Sequence, residues 1–364
     1  MRRGLLLAGL CLALLALPAR AAAEVQEQVW DSVDTTAVEQ QAEDVLEIPL
    51  SPEIDLESGL ASVFSGALER LREIVAQATR SAGLILVIAL FCSLAQALCE
   101  SAAPRAAQMV QLVGVLAVTA ASVGDVHSLL SLGRETVIQL TGFTRVLIPV
   151  MTAAAAAGGS VTGAAARQMV TLFAANLLLS LIQSVLIPLV YLYVAACAGA
   201  VAADNDGLRS LAAFVRWVVQ TVLTWVLLIF TAYLSLSGVI AGTADRAAVK
   251  LARFAISGMV PVVGGILSDA TESVLAGAGI LRNAIGIFGT LAVLAFCLVP
   301  FLQLGVQYLM YRISAVLTAA MTQSRLSGLI GDIGGAFGLM LGMVGACALL
   351  ALIAIITTVA VAVS

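Results

Sequence analysis

The residues best suited to chemistry lie in one apolar stretch, Ser257 to Thr290, SGMVPVVGGILSDATESVLAGAGILRNAIGIFGT. It combines Pro261, the Gly264-Gly265 pair, Asp269, Glu272, Gly277, Gly279 and Arg282. Proline and glycine loosen a helix, and a carboxylate in hydrocarbon is costly unless it is paired or wet. A lipid-facing span is a poor place for such residues. A broken or re-entrant segment lining a protein-enclosed space accommodates them. Asp269 and Glu272 stand three apart and share a face if the stretch is helical, and Arg282 neutralises one of them if the chain folds back. Two readings stay open. In one, these charges line or gate a transport path; in the other, they lie at the water interface and serve folding alone.

Other chemistries find little support. Ser235-Leu236-Ser237-Gly238 lacks the first glycine of a rhomboid-type GxSG, and the single histidine, His127, lies in a distant connector. Gly328-Leu329-Ile330-Gly331-Asp332 is one glycine short of a GxGD aspartyl site. There is no GxxxxGK[ST] loop, and the sole lysine is Lys250, so any energy input comes from a partner or a gradient. The six cysteines form no CxxC pair and fall in the leader or in apolar runs, as small core hydrophobes do. The expectation is no enzyme, no cofactor and no metal.

The elements that must hold the central stretch are membrane helices. Of 364 residues, 61% are hydrophobic and 11% charged, and the mean hydropathy is +1.07. Several apolar runs reach the about 20 residues that cross a bilayer, without the alternation of a barrel strand. The predicted fold is all-α and polytopic, with about seven to eight membrane segments, one of them the broken or re-entrant stretch. Spans are expected at 82–98, 106–123, 143–157, 168–203 (broken or kinked at Pro188), 211–240, 283–311 and 334–363. Residues 124–142 and 312–330 read as connectors. Arg145 and Arg216 read as snorkelling side chains at span ends. In the last span Gly331, Gly334, Gly335, Gly338 and Gly342 recur at GxxxG spacings, a face for close helix packing within the chain or between copies.

Residues 1–23 have the form of a secretory signal peptide: Arg2-Arg3, an apolar run and a small-residue end. Residues 24–59 follow as an acidic extracytoplasmic arm. It holds eleven acidic residues and no basic one between Glu24 and Glu57, and serves either as a solvated arm or as a docking arm. Residues 60–81 form an amphipathic helix, and 82–364 the transmembrane domain. Arg246, Lys250 and Arg253 fall on one helical face, the most basic connecting stretch, which places it in the cytoplasm. An outside arm and an inside basic face require an odd number of crossings, and the five spans before Arg246 supply it.

The stretch SGMVPVVGGILSDATESVLAGAGILRNAIG resembles the most characteristic part of the stage III sporulation protein AE family. The likeness extends over the leader, acidic arm, amphipathic helix, span order and glycine-rich last span. The resemblance implies a subunit of the sporulation complex at the double membrane between mother cell and forespore. It would work in the mother-cell membrane with the other stage III A proteins and a forespore-side partner, in a secretion-like channel or feeding apparatus. A sister protein resembling a secretion ATPase would supply energy. Lipid and further copies of the chain are the other expected partners; nucleic acid is not. The resemblance brings no catalytic residue to carry over.

Overall fold

The computed structural model describes residues 35–42, 55–100, 104–157, 173–203, 205–259, 264–321 and 325–363. All the regular elements among them are helical: α1 (Thr36–Ala42), α2 (Leu56–Glu100), α3 (Pro104–Ala157), α4 (residues 173–202), α5 (Asp206–Met259), α6 (Gly264–Met321) and α7 (Arg325–Val363). In hydrocarbon every backbone N–H and C=O must be satisfied within the segment, so apolar runs of this length become helices. Six of these helices, α2 to α7, are long and apolar enough to cross a membrane. The chain is an all-α polytopic membrane protein.

The starts and interruptions have local causes. Asp55 caps α2: its Oδ2 accepts from the Ser58 N–H at 3.0 Å. That backbone hydrogen bond leads the causes holding its carboxyl below the usual aspartate value. In α4 a π turn, Ile182–Leu186, precedes Pro188, and the helix resumes as Ile187–Ala202. Proline has no N–H and crowds the carbonyl four residues before it. The widened turn absorbs both defects without ending the helix. The described helix thus runs on through Pro188 and is not divided by it. Threonine hydroxyls inside α3 return to the backbone four residues earlier, as Thr141 does to the Val137 carbonyl and Thr144 to the Leu140 carbonyl, both at 2.7 Å. This hides their polarity in buried positions.

α6 and α7 form the most extensive pair, antiparallel and closely packed, with α2 and α3 along one side and α4 and α5 along the other. α2 runs parallel to α6: Gly59 abuts Leu291 near one end, and the Ser93 hydroxyl donates to the Met321 carbonyl at 2.9 Å near the other. The core is continuous from α2 through α7, and Val38 and Ala42 of α1 join it. About two helical turns of the acidic arm are therefore packed on the bundle, against α3.

Five boundaries differ from the sequence expectation. The span 211–240 continues through the basic connector in α5, and the central stretch from Gly264 is continuous with the span 283–311 in α6. The amphipathic stretch 60–81 and the span 82–98 are a single helix of 45 residues. Spans 106–123 and 143–157, with the connector between them, are a single helix of 54 residues. The connector at 312–330 is divided between the end of α6 and the start of α7. Asp125, His127, Arg134 and Glu135 suggested a loop, but Asp125 is satisfied inside the bundle and the other three are exposed. Nothing at 124–142 stops a helix.

The merger changes the count of crossings. Among the described residues, four long helices, not five spans, separate the arm from Arg246, Lys250 and Arg253, so an outside arm and an inside basic face do not both hold if each helix crosses once and these are all the crossings. In a cysteine-free background, Glu57→Cys and Lys250→Cys should label from the same side with a membrane-impermeant maleimide. Labelling from opposite sides would show that one of the four helices does not cross once.

Candidate functional site

Within the described side chains, one face of α6 carries a run of polar groups. Gln303, Gln307, Tyr311, Ser314 and Thr318 follow at steps of four, four, three and four, which keeps them on one stripe of a 3.6-residue helix. Gln307, Tyr311, Ser314 and Thr318 are buried. The stripe covers about 22 Å along the axis at 1.5 Å per residue, most of a hydrocarbon core.

Asp125 of α3 is its centre. Its Oδ2 accepts from the Tyr311 hydroxyl at 2.9 Å and from Gln307 Nε2 at 3.1 Å. Its Oδ1 accepts from the Ser81 hydroxyl of α2 at 3.1 Å. Three helices thus meet on one half-buried carboxylate. Beside it lies a polar recess of about 10 Å³ lined by Gln77, Ser128, Gln303 and Gln307, room for about one water. The hydroxyls of Ser122, Ser314 and Thr318 are buried with no hydrogen-bond partner among the described residues. Such a seam can carry water or a proton between helices, or it can clamp them in register.

A second polar place lies where α4, α5 and α7 meet. Tyr193, Cys197, Arg209, Arg216, Gln220 and Asp332 line a cavity of about 290 Å³, and the Tyr193 hydroxyl donates to the Asp332 carbonyl at 3.1 Å. Arg216 lies about 15 Å into α5, half-buried beside this cavity.

The residues singled out in the sequence divide between described and undescribed places. α5 reaches Met259 and α6 begins at Gly264. Pro261 lies outside the described residues, and Gly264 and Gly265 open α6. Asp269, Glu272 and Arg282 lie on α6, and Arg246, Lys250 and Arg253 on α5, all with side chains outside the described ones.

The glycines of α7 are described and face three neighbours. A Cβ at Gly334 would meet the Tyr311 Cβ at 3.1 Å, and one at Gly338 the Tyr308 ring at 3.0 Å. One at Gly335 would meet the Tyr193 hydroxyl at 3.0 Å, at Gly342 Leu223 at 3.5 Å, and at Gly331 Ala315 at 3.7 Å. The five described cysteines are free thiols, three of them buried.

Asp125 was missed by the sequence reading. The available signal was the polar stripe on α6, in an apolar span that needs a partner for each buried amide and hydroxyl. Its partner lies 182 residues away in the chain, beyond the reach of local pattern.

Comparison with known proteins agrees with the resemblance. A relative, Stage III sporulation protein AE of Bacillus subtilis (strain 168), is 25% identical over 239 residues, covering 65% of this chain. The chain spans 59% of that relative's length. No solved structure matches. The family model described as Stage III sporulation protein AE matches residues 53–362, from before α2 to the end of α7. With that match over nearly all of the described helices, the chain belongs to the stage III sporulation protein AE family.

Proposed function

We propose that this chain is a permease-like or export-gate subunit of a sporulation-specific, secretion-like channel complex between mother cell and forespore, without enzymatic activity of its own. The observation that carries the reading is the polar face of α6, centred on Asp125. Ionisable and polar groups held inside a membrane bundle mark paths and relays. The same helix carries Asp269, Glu272 and Arg282 toward its other end. In this reading the acidic pair and Arg282 line or gate the path, preceded by Pro261, Gly264 and Gly265 as its hinge.

The partners are the other stage III A proteins in the mother-cell membrane around the forespore, together with a forespore-side protein. A sister ATPase provides energy. The leader-like start places the acidic arm outside the cytoplasm. The end of the bundle bearing Arg209, Arg216, Arg312 and Arg325 then faces the cytoplasm, in line with the positive-inside bias. Arg246, Lys250 and Arg253 no longer serve as the cytoplasmic marker.

The second reading is a membrane scaffold that recruits the other subunits. It is favoured by one observation, that both oxygens of Asp125 are satisfied and the seam ties α2, α3 and α6 together. Joint replacement of Asp269→Asn and Glu272→Gln separates the two. A gate loses heat-resistant spore formation while the protein still accumulates and co-purifies with its partners. Normal spore formation, or loss of spores together with loss of co-purification, sinks the gate and leaves the scaffold.

A further inference from the structure

Between α5, α6 and α7 lies a groove of about 1060 Å³ that the polar seam does not use. Its walls are Leu223 and Leu227 of α5, Leu294, Leu298 and Phe301 of α6, and the glycine face of α7. Glycines 335, 338, 342 and 345 all line it, so its depth comes from side chains that α7 lacks. Its rim opens to the outside of the bundle, since Gln220, Thr224, Phe301, Arg312 and Leu349 are exposed.

The charge in this groove is one-sided. Arg216 and Arg312 line it, and no acidic side chain does. The nearest described carboxylate, Asp332, lies in the adjoining polar cavity with Arg209 and Arg216. The Arg312 guanidinium stands 5.6 Å from the centre of the Tyr308 ring, on the groove wall. Both arginines sit at the same end. Arg216 is about 15 Å from the start of α5, and Arg312 about 14 Å from the end of α6, where the two helices share one end of the bundle. From there the apolar part extends about 21 Å, from the level of Gly335 to that of Leu349. This is cation at one end, apolar wall for the rest, and an open flank.

We propose that this groove binds one anionic phospholipid, its phosphate between Arg216 and Arg312 and an acyl chain along the glycine face of α7. Asp332 is the one carboxylate shared among Arg216, Arg209 and Arg312, so this end of the groove keeps an excess of positive charge that an anion neutralises, and basic pockets between membrane helices recruit anionic headgroups. The volume fits this occupant. A partner helix about 10 Å across and about 30 Å long displaces more than twice the space present. A free phosphate would leave the apolar length unfilled.

The test uses the full chain, purified in mild detergent and exchanged into mixed micelles with equal phosphatidylglycerol and phosphatidylcholine. Bound lipid is counted by native mass spectrometry. Wild type should retain one phosphatidylglycerol in preference to phosphatidylcholine. The R216Q/R312Q pair should lose that preference by roughly 10- to 30-fold, as two interfacial charges imply. Thr224→Trp, at the exposed rim, should reduce retention while leaving both charges in place, which covers a double variant that fails to fold. Equal retention of the two lipids by wild type would overturn the proposal, as would retention unchanged in both variants. Full displacement by millimolar inorganic phosphate would show a free-anion site instead. Cross-linking of two copies through a cysteine at Thr224 would show that protein fills the groove.

Discussion

Asp125→Ala is expected to lower the stability of the purified protein by about 2–4 kcal/mol, read as a drop of roughly 3–5 °C in the thermal unfolding midpoint. Three donors lose their acceptor at once: the Ser81 hydroxyl, the Gln307 amide and the Tyr311 hydroxyl. Two of these belong to buried residues, Gln307 at 5% and Tyr311 at 0% exposure, where water cannot freely replace the carboxylate. The half-buried position of Asp125 and the one-water recess beside it keep the figure below that of a sealed site. Asp125→Asn retains one acceptor oxygen and should cost less than the alanine. Tyr311→Phe should cost about 1–2 kcal/mol alone. In the Asp125→Ala background it should cost little or even stabilise, because it removes the orphaned hydroxyl. Strict additivity of the two substitutions, or a wild-type midpoint for Asp125→Ala, would show that the cluster contributes nothing.

The fold class was legible because hydrocarbon leaves so few alternatives. Apolar runs near 85, 115, 180, 220, 295 and 345 could become only helices, and all six did. Helix continuity was not legible in the same way. The charges from Asp125 to Glu135 were read as marking a loop, but their signal depended on partners. Asp125 finds its donors on α2 and α6, and Arg134 and Glu135 point outward, so the backbone had no reason to break. A soluble-protein habit, polar therefore loop, fails where a helix is long enough to carry polar residues in the bundle or beyond the bilayer. The number of helices counted before Arg246 falls with it. The surroundings of Arg216 were not legible either: distance to the end of an apolar run does not reveal that a neighbouring helix supplies glycines, and the side chain lies half-buried beside a cavity. The acidic stretch around Asp269 was legible as unusual for a membrane span, and its helical backbone on α6 is compatible with the shared face expected for Asp269 and Glu272.

The second large effect is expected on α7, where Gly334→Leu should prevent α6 and α7 from closing and destabilise the protein by about 3 kcal/mol or more. The reason is which atom stands opposite. A Cβ at Gly334 meets the Tyr311 Cβ at 3.1 Å, with the Arg312 nitrogen and the Tyr311 carbonyl carbon at 3.7 Å. None of these can swing away, because each moves only with the backbone of α6. Gly338 faces the edge of the Tyr308 ring at 3.0 Å, which can rotate, so Gly338→Ala should cost about 1 kcal/mol. Gly342 lies 3.5 Å from a terminal methyl of Leu223, an ordinary contact, and Gly342→Ala should be near neutral. Gly328 meets nothing within 4 Å, and there alanine should stabilise by a few tenths to about 1 kcal/mol through helix propensity alone. The sign therefore changes along one helix face, and thermal unfolding of the four variants in one detergent reads the order directly. A uniform cost at all four sites would mean that flexibility of α7, and not its approach to α6, is what the glycines supply. Separation at Gly334 should also reach the polar seam, because the same Tyr311 carries the hydrogen bond to Asp125 and the edge contact to Phe337 at 5.1 Å. Gly334→Leu combined with Tyr311→Phe should then cost less than the sum of the two, which ties the glycine face and the carboxylate to one residue of α6.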